Sequence, residues 1–154
     1  MIYLAADHRG FGLKEAIKKF FAEQGTACED MGGFSYDADD DYVDFAAAAA
    51  EKISANPTEH KGIFLCGSGH GMDLVANKYR GIRAALCWNR DVAKQSREHE
   101  DVNVLVLPAD WLDEAATEEI VMTWLGTNFS NEERHARRLE KIKHLEDGRF
   151  CRCS

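Results

Sequence analysis

Long apolar runs and excess positive charge are both missing from this 154-residue chain. No run approaches the roughly 18 apolar residues that a transmembrane helix needs, so none is predicted. The apolar residues 1–6 follow no basic segment and lead into Asp7-His8-Arg9, which is not the pattern of a signal peptide. Lysine and arginine total 19 against 27 acidic residues, a net charge of −8. Because nucleic acids and anionic membranes bind basic surfaces, neither is an expected partner. With no predicted signal peptide or transmembrane helix, the expected location is cytoplasmic.

The spacing of a disulfide framework is also absent. The five cysteines, at positions 28, 66, 87, 151 and 153, are odd in number and are expected to be reduced in a cytosolic chain. Cys151 and Cys153 form a thiol pair that could hold a metal, but a lone pair in a terminal segment is interpreted as incidental, and no metal site is predicted. With 45% apolar and 30% charged residues, the chain is typical of one globular domain. We expect that domain at residues 1–146, followed by a tail at 147–154.

Short apolar segments alternate with amphipathic ones along the chain. The apolar segments predict five strands, at residues 2–6, 27–31, 62–66, 83–87 and 103–107. The other segments predict helices over residues 10–24, 42–54, 91–99, 111–125 and 131–146, and one that begins at 72–78. This alternation indicates an α/β fold: a Rossmann-like three-layer sandwich with a five-stranded parallel sheet and a C-terminal helix. Ligands of such sheets bind beyond the carboxyl ends of the strands.

The most informative segment is GIFLCGSGHGM, residues 62–72. An apolar strand ends at Cys66, and three glycines at alternate positions follow before a helix-like segment. Glycines let backbone N–H groups converge on an anion, and a helix N-terminus adds a partial positive charge. A thiol that faces such donors has the parts of a base beside an oxyanion hole. The alternative is a buried strand cysteine next to an ordinary turn.

Three familiar uses of an α/β sheet do not fit these residues. A dinucleotide site needs Gly-x-Gly-x-x-Gly after the first strand, but this loop follows the third strand and has Met72 at the last required position. No Gly-x-x-x-x-Gly-Lys-Ser/Thr sequence is present for a P-loop. A phospho-receiver needs an Asp after strand three and a Lys after strand five, where this chain has Cys66 and Pro108.

The remaining parts suit proton abstraction next to a carbonyl. Backbone N–H groups and the Ser68 hydroxyl are donors for an enediolate oxygen, which is the species that such a reaction must stabilise. A general base works best when its pKa lies near the operating pH, and helix N-termini bring thiols toward that range. The competing use is a nucleophilic thiol paired with a histidine, and His8, His70 and His99 are all candidates for that partner.

Further motifs extend this pattern over the chain. They are ADHRG (6–10) with LK (13–14), DY (41–42), GIFLCGSGHGM (62–72), ANK (76–78), GIRA (81–84), SREH (96–99), DVNVL (101–105) and RHARR (134–138). In these motifs the sequence resembles the ribose-5-phosphate isomerase type B family, which also contains galactose-6-phosphate isomerase subunits. The match runs in the family's order from residue 2 to about residue 146, and the motifs are specific as a set although each is weak alone.

The resemblance implies an aldose–ketose isomerase that acts on a sugar phosphate, foremost ribose 5-phosphate, through an enediolate and without a metal or organic cofactor. It also implies a homodimer, alone or paired into a tetramer, with each active site shared between subunits. The implied catalytic residues are Cys66 as base, Ser68 at the enediolate oxygen and His99 in ring opening. The implied substrate contacts are Asp7 and Tyr42 at sugar oxygens, the N–H groups of Gly67, Gly69 and Gly71, and the phosphate ligands His8, Arg134 and Arg138.

The spacing of the two arginines agrees with that role independently. Arg134 and Arg138 are four residues apart and therefore share a helix face, where two guanidinium groups can converge on a phosphate dianion. The alternative from the residues alone is a solvated basic stretch paired with nearby glutamates. His99, without the resemblance, is a histidine at a helix C-terminus.

Some positions depart from the family pattern. The family commonly has Asn after His99 and a glycine turn with an Arg near the phosphate after strand five, whereas this chain has Glu100 and LPAD at 107–110. His70 replaces a small loop residue, and Asp73 begins the next helix. One hypothesis is that substrate preference has shifted, with Glu100 and Asp110 binding sugar hydroxyls and His70 replacing the lost cation. The alternatives are an ordinary pentose-phosphate isomerase and a non-catalytic sugar-phosphate-binding protein, and Asp73 is the next candidate base.

Overall fold

Five strands and six α-helices alternate along residues 1–148, the part of the chain that the computed structural model describes. The strands are β1 (Ile2–Ala6), β2 (Cys28–Asp30), β3 (Lys61–Cys66), β4 (Ala84–Leu86) and β5 (Val104–Pro108). The helices are α1 (Phe11–Gln24), α2 (Tyr42–Ala55), α3 (His70–Ala76), α4 (Arg90–Glu100), α5 (Glu114–Gly126) and α6 (Glu133–Glu146). The cysteines Cys151 and Cys153, with residues 149–154 of the expected tail, lie outside the described residues. None of the described helices is long and apolar enough to cross a membrane.

All strand pairs in the sheet are parallel, in the order β2-β1-β3-β5-β4. The chain moves from β1 to one side for β2 and to the other side for β3, so the order reverses between β1 and β3. That reversal opens a crevice at the carboxyl ends of these two strands. The predicted α/β sandwich with a five-stranded parallel sheet and a C-terminal helix is confirmed.

Alternate strand residues face the two outer layers. Side chains such as Leu4, Leu65 and Leu105 pack against α1, α4 and α5, and side chains such as Ala5, Phe64 and Val106 pack against α2 and α3. Both sheet faces are buried, which explains why the strands are continuously apolar rather than alternating. The alanines of α2 allow that helix to approach the sheet closely.

Most predicted bounds agree with the structure within two residues, but the helix predicted from residue 111 begins later. A 3-10 turn spans Ala109–Trp111, and Leu112 is extended, so α5 begins at Glu114. The Asp113 carboxylate caps it by accepting a hydrogen bond from the Ala116 N–H at 2.8 Å. Trp111, the first residue of the predicted helix, lies in this turn and is 69% exposed.

Candidate active site

Cys66 and Asp7 lie side by side at the carboxyl edge of the sheet. Cys66 is the last residue of β3, and Asp7 follows the last residue of β1, whose Ala6 is in register with Leu65. The Asp7 N–H donates to the Leu65 carbonyl at 3.3 Å, which extends the pairing of the two strands by one bond. Both side chains are buried, at 5% and 6% exposure. The thiol and the carboxylate therefore lie next to the crevice at the strand-order reversal.

Each glycine of the loop after Cys66 is required by its surroundings. Gly69 has φ +79°, a left-handed conformation that glycine adopts without strain, and it precedes the first residue of α3. A Cβ on Gly71 would lie 2.5 Å from ring atoms of Tyr42, so the Tyr42 ring rests directly on that backbone. Tyr42, the first residue of α2, is thus brought to the loop as the sequence suggested.

The remaining loop side chains have defined positions. The Ser68 Oγ accepts a weak bond from the His70 N–H at 3.3 Å, so its hydroxyl hydrogen is free to be donated. His70 is exposed. Asp73 is half-buried, and burial raises the pKa of its carboxyl group while His70 lowers it. The Asp73 Oδ1 lies 3.4 Å from the Asn77 amide one turn along α3, so Asp73 is already engaged within its own helix.

Asp7 is held by the first turn after β1. Its Oδ1 accepts hydrogen bonds from the backbone N–H groups of Arg9 and Gly10, both at 3.0 Å. Burial raises the pKa of Asp7, against the lowering effect of these bonds and of His8. A carboxyl group of this kind can exchange a proton with a sugar oxygen more readily than an exposed aspartate.

His8 is paired with a carboxylate that the sequence reasoning did not single out. Its Nδ1 lies 2.7 Å from Asp40 Oδ1, and its ring meets Tyr36 edge-on at 6.0 Å. The hydrogen bond to Asp40 raises the pKa of His8. The Asp40 side chain is 6% exposed and its Oδ2 has no hydrogen-bond partner. Ligand atoms of Asp7, His8 and Asp40 lie within 4.8 Å of one another, so a divalent cation could bind there.

A buried lysine fixes the loop that carries Asp40. Lys14 of α1 is fully buried, and its Nζ donates to both carboxylate oxygens of Asp30 and to the carbonyls of Gly32 and Gly33 at 2.7–2.9 Å. Burial alone would raise the pKa of Asp30, but the Lys14 and Lys18 hydrogen bonds outweigh it and hold the pKa below its ordinary value. The loop after β2 is thereby tied to α1.

Asp110 does not stand as a free acid at this edge. Its carboxylate forms a two-point ion pair with the Arg9 guanidinium, including a 3.1 Å bond from Nε to Oδ1. Arg9 therefore neutralises the charge that the sequence placed near the expected anion site. We call Asp7, His8, Tyr42 and residues 66–71 the loop cluster.

A second group, the arginine cluster, comprises His99, Glu100, Arg134 and Arg138. His99, near the end of α4, stacks on His135 of α6 with ring centroids 4.2 Å apart. His135 is buried and its Nδ1 lies 2.8 Å from Ser130 Oγ, which fixes the first turn of α6 beside α4. Arg134 in that turn and Arg138 in the next are exposed, and Arg134 pairs with Glu132 at 2.9 Å.

The two clusters lie at opposite ends of the strands: the loop cluster at the carboxyl ends and the arginine cluster at the amino ends. Because α4 runs antiparallel to the strands, its last residues return to the amino end of β5, where the Val102 N–H donates to the Ser96 carbonyl. A cavity of about 640 Å³ separates α6 from the amino end of β3; its lining includes Lys61 and Asn103 of the body and Ala136 and Leu139 of α6. Cys66 is at the other end of β3, about 17 Å away at 3.3 Å per residue. One chain therefore does not bring Cys66 together with His99, Glu100, Arg134 and Arg138.

Sequence reasoning missed Arg9, Asp40 and His135, which contact Gly67, His8 and His99 of these clusters. Asp40 is in an acidic run that looked like a polar loop, and His135 stands between the two arginines that drew attention. The signal that existed was charge: Arg9 directly follows His8, and Asp110 was itself a candidate contact to a sugar hydroxyl. Only the fold shows which opposite charges meet.

Comparisons with known proteins identify the family of this chain. A family model described as Ribose/Galactose Isomerase matches residues 2–142. A relative named ribose-5-phosphate isomerase B from Mycolicibacterium paratuberculosis is 39% identical over 145 residues, covering 94% of this chain and 91% of its own.

Solved structures of similar proteins extend the comparison to the fold. Ribose-5-phosphate isomerase B from Mycoplasma genitalium, with bound ribulose-5-phosphate, aligns with a TM-score of 0.91 at 36% identity and covers 95% of each chain. The corresponding protein from Thermotoga maritima aligns with a TM-score of 0.87 at 42% identity, covering 93% of this chain and 97% of the other.

Proposed function

The chain belongs to the ribose/galactose isomerase family and is an aldose–ketose isomerase of sugar phosphates, and from this premise we propose that it interconverts ribose 5-phosphate and ribulose 5-phosphate with Cys66 as the base. The observation that carries the proposal is the position of the Cys66 thiol beside Asp7, with the glycine loop directly after it, at the strand-order reversal. The similar protein with ribulose-5-phosphate bound supports the choice of substrate.

In the proposed reaction, the Cys66 thiolate removes the proton from C2 of the open-chain aldose. The electron pair of the C2–H bond forms the C1–C2 double bond, and the carbonyl electrons move to O1. The same proton returns to C1 while the O2 hydroxyl proton passes to O1, which leaves a carbonyl at C2. Atoms and charge balance without an external oxidant, so no cofactor is required by the chemistry.

The loop after Cys66 supplies the donors for the enediolate. Residues 67–71 lead into the first turn of α3, whose N–H groups have no acceptor within the helix. These groups, with the Ser68 hydroxyl, stabilise negative charge on the oxygen as it develops. Asp7 and Tyr42, which border the same loop, contact the sugar hydroxyls or ring oxygen, and His99 assists ring opening.

We assign the phosphate to His8, Arg134 and Arg138. The imidazole of His8 is kept cationic over a wider pH range because the hydrogen bond to Asp40 raises its pKa. Two guanidinium groups add the charge that a dianion needs in a protein of net charge −8. Since Arg9 neutralises Asp110, that acid no longer argues for a shifted substrate, and the open question about preference rests on His70 and Glu100.

These assignments need two chains. A pentose phosphate in contact with Cys66 cannot reach an arginine cluster one strand length away on the same chain, so the arginines must come from a second copy. We therefore propose a homodimer, alone or paired into a tetramer, in which the loop cluster of one chain faces the arginine cluster of the other. We also assign residues 1–146 to the isomerase domain and place the enzyme in the cytoplasm, as befits sugar-phosphate metabolism.

The test is Cys66→Ala with a panel of aldose and ketose phosphates followed by NMR. We expect kcat on ribose 5-phosphate to fall by about 10²–10⁴-fold with KM little changed, the usual contribution of a general base. Cys87→Ala is the matched control, because Cys87 is a buried thiol whose pKa burial raises to about 11, and it should retain kcat.

Three results would contradict the proposal. Full activity of Cys66→Ala would move the base to another group, with Asp73 next in line. A stable covalent adduct on Cys66, seen by mass spectrometry during turnover, would indicate nucleophilic chemistry. Ligand binding without turnover of any sugar phosphate would indicate a binding protein.

A further inference from the structure

The Arg9 side chain crosses the start of the glycine loop. Its backbone N–H is held by Asp7 at 3.0 Å, and its guanidinium is held by Asp110 at two points. Between these two anchors the side chain lies on Gly67: a Cβ there would be 2.5 Å from Arg9 Nε and 2.7 Å from Cζ. Only a residue without a side chain leaves room for the guanidinium in this position.

Asp110 contacts the same peptide from the other side. Its backbone N–H donates to the Gly67 carbonyl at 3.0 Å, so one residue binds both Gly67 and the guanidinium that covers it. Gly67 is thus fixed through its carbonyl oxygen and through its Cα face. The peptide at the start of the glycine loop is therefore held at two points.

The topology makes this contact a bridge. Arg9 follows β1 and Asp110 follows β5, while β3 lies between these strands in the sheet. The ion pair therefore joins the two flanking strand ends over the end of the central one, where Cys66 lies. We call Arg9, Asp110 and the Gly67 peptide the strap.

We infer that Arg9 and Asp110 are positioning residues for the isomerisation, acting through Gly67 to hold the loop N–H groups in the geometry that the enediolate requires. The inference rests on the proposed function, since it assigns the loop to the enediolate oxygen. The ion pair is 56% and 29% exposed on its two sides, and pairs this exposed add little to global stability. The effect of breaking it should therefore appear in the loop and in kcat.

The first measurement is a double-mutant cycle of Arg9→Ala, Asp110→Asn and the double variant. We expect each single change to lower kcat about tenfold through small loop displacements, with KM nearly unchanged. The double variant should be no slower than the singles because both act through one peptide. Arg9→Lys, which keeps the charge but loses the two-point geometry, should recover part of the loss.

The matched control is Arg90→Ala. Arg90 forms an exposed ion pair with Glu119 at 3.2 Å, 59% and 56% exposed, and Glu119 belongs to α5 and not to the glycine loop. It should leave kcat unchanged, and all variants should keep the melting temperature of the parent. A strap variant that loses kcat in step with melting temperature would show a purely structural role and overturn the inference.

Amide hydrogen exchange provides a readout that needs no turnover. In Arg9→Ala, exchange of the peptide that spans residues 66–71 should accelerate, as should that of Asp110, whose N–H bond to Gly67 loosens. If the parent does not isomerise sugar phosphates, the proposed function fails while this measurement still tests the strap. Unchanged exchange with unchanged kcat, additive losses in the double variant, or a raised KM with intact kcat would each overturn the positioning role.

Discussion

Two inactive variants of this enzyme should restore each other's activity. Cys66→Ala disables the loop cluster, and the double change Arg134→Ala/Arg138→Ala disables the arginine cluster. Because these clusters lie at opposite ends of the strands of one chain, separated by the length of β3, about 17 Å by strand rise, each active site of the proposed dimer takes one cluster from each subunit. In a mixed dimer one site carries both defects and the other carries none.

The expected magnitude follows from this count of sites. A heterodimer isolated through two different affinity tags should have about half the activity of the parent dimer, because one of two symmetric sites is intact. An unsorted co-expressed mixture, in which about half of the dimers are mixed, should have about a quarter. Activity is measured at ribose 5-phosphate concentrations well below the KM of the unmutated enzyme, where homodimers of either variant are nearly inactive.

The control pairs two defects in the same cluster. Cys66→Ala with Asp7→Asn leaves every site with a damaged loop cluster, so no activity should return. If the first heterodimer is as inactive as the two variants that form it, while a dimer of the unmutated chain carrying both tags is active, the sites are not shared in this way. The assignment of the arginine cluster to the phosphate would then be wrong.

Two further predictions follow from buried or partnered charges. Asp40→Asn should lower the pKa of His8, so that its imidazolium is lost at a lower pH than in the parent. The KM of the variant for the sugar phosphate should then exceed that of the parent above about pH 6.5 and match it below that pH. The titration of His8 is followed by NMR. Lys14→Met should cost about 3–5 kcal/mol at neutral pH, because it leaves the half-buried Asp30 carboxylate with Lys18 alone and removes the bonds to the Gly32 and Gly33 carbonyls. Since the pKa of Asp30 is lowered in the folded state, that stabilisation is present above its unfolded pKa of about 4 and is lost as the pH falls. In denaturant unfolding, the difference in the free energy of unfolding between the parent and Lys14→Met should therefore become smaller in acid. A difference that grows in acid would contradict this account.

The elements of the fold could be predicted from the sequence because most strands are short, apolar and followed by a polar or glycine-rich break, whereas the polar β2, Cys28–Asp30, gave a weaker signal. The loop after Cys66 was predictable for the same reason: three alternating glycines after a buried strand have few structural uses. The start of α5 was not predictable from apolar spacing, since Trp111 looks like a core residue yet projects from a 3-10 turn. The start of α5 is set by its N-cap, the Asp113 carboxylate, which accepts a hydrogen bond from the Ala116 N–H.

The separation of the two clusters could have been predicted from the sequence, because it follows from the direction of α4, but the sequence analysis did not predict it. A helix that connects parallel strands runs backwards, so the last residues of α4 must lie at the amino edge of the sheet, away from Cys66. The pairing of His8 with Asp40 and of Arg9 with Asp110 was not within reach. Those residues are 32 and 101 positions apart, and only the packed loops bring them together.

The three loop glycines also determine where evolution can act on this enzyme. A side chain at any of them would meet a different neighbour: Arg9 at Gly67, Leu86 at Gly69 and Tyr42 at Gly71. Gly69 and Gly71 therefore tolerate almost no side chain, because a Cβ there would lie 2.3 Å from Leu86 or 2.5 Å from the Tyr42 ring, whereas the Arg9 side chain over Gly67 can move aside. A directed-evolution library randomised at His70 and Glu100, which are both free of these constraints, should yield far more active clones than one randomised at Gly69 and Gly71.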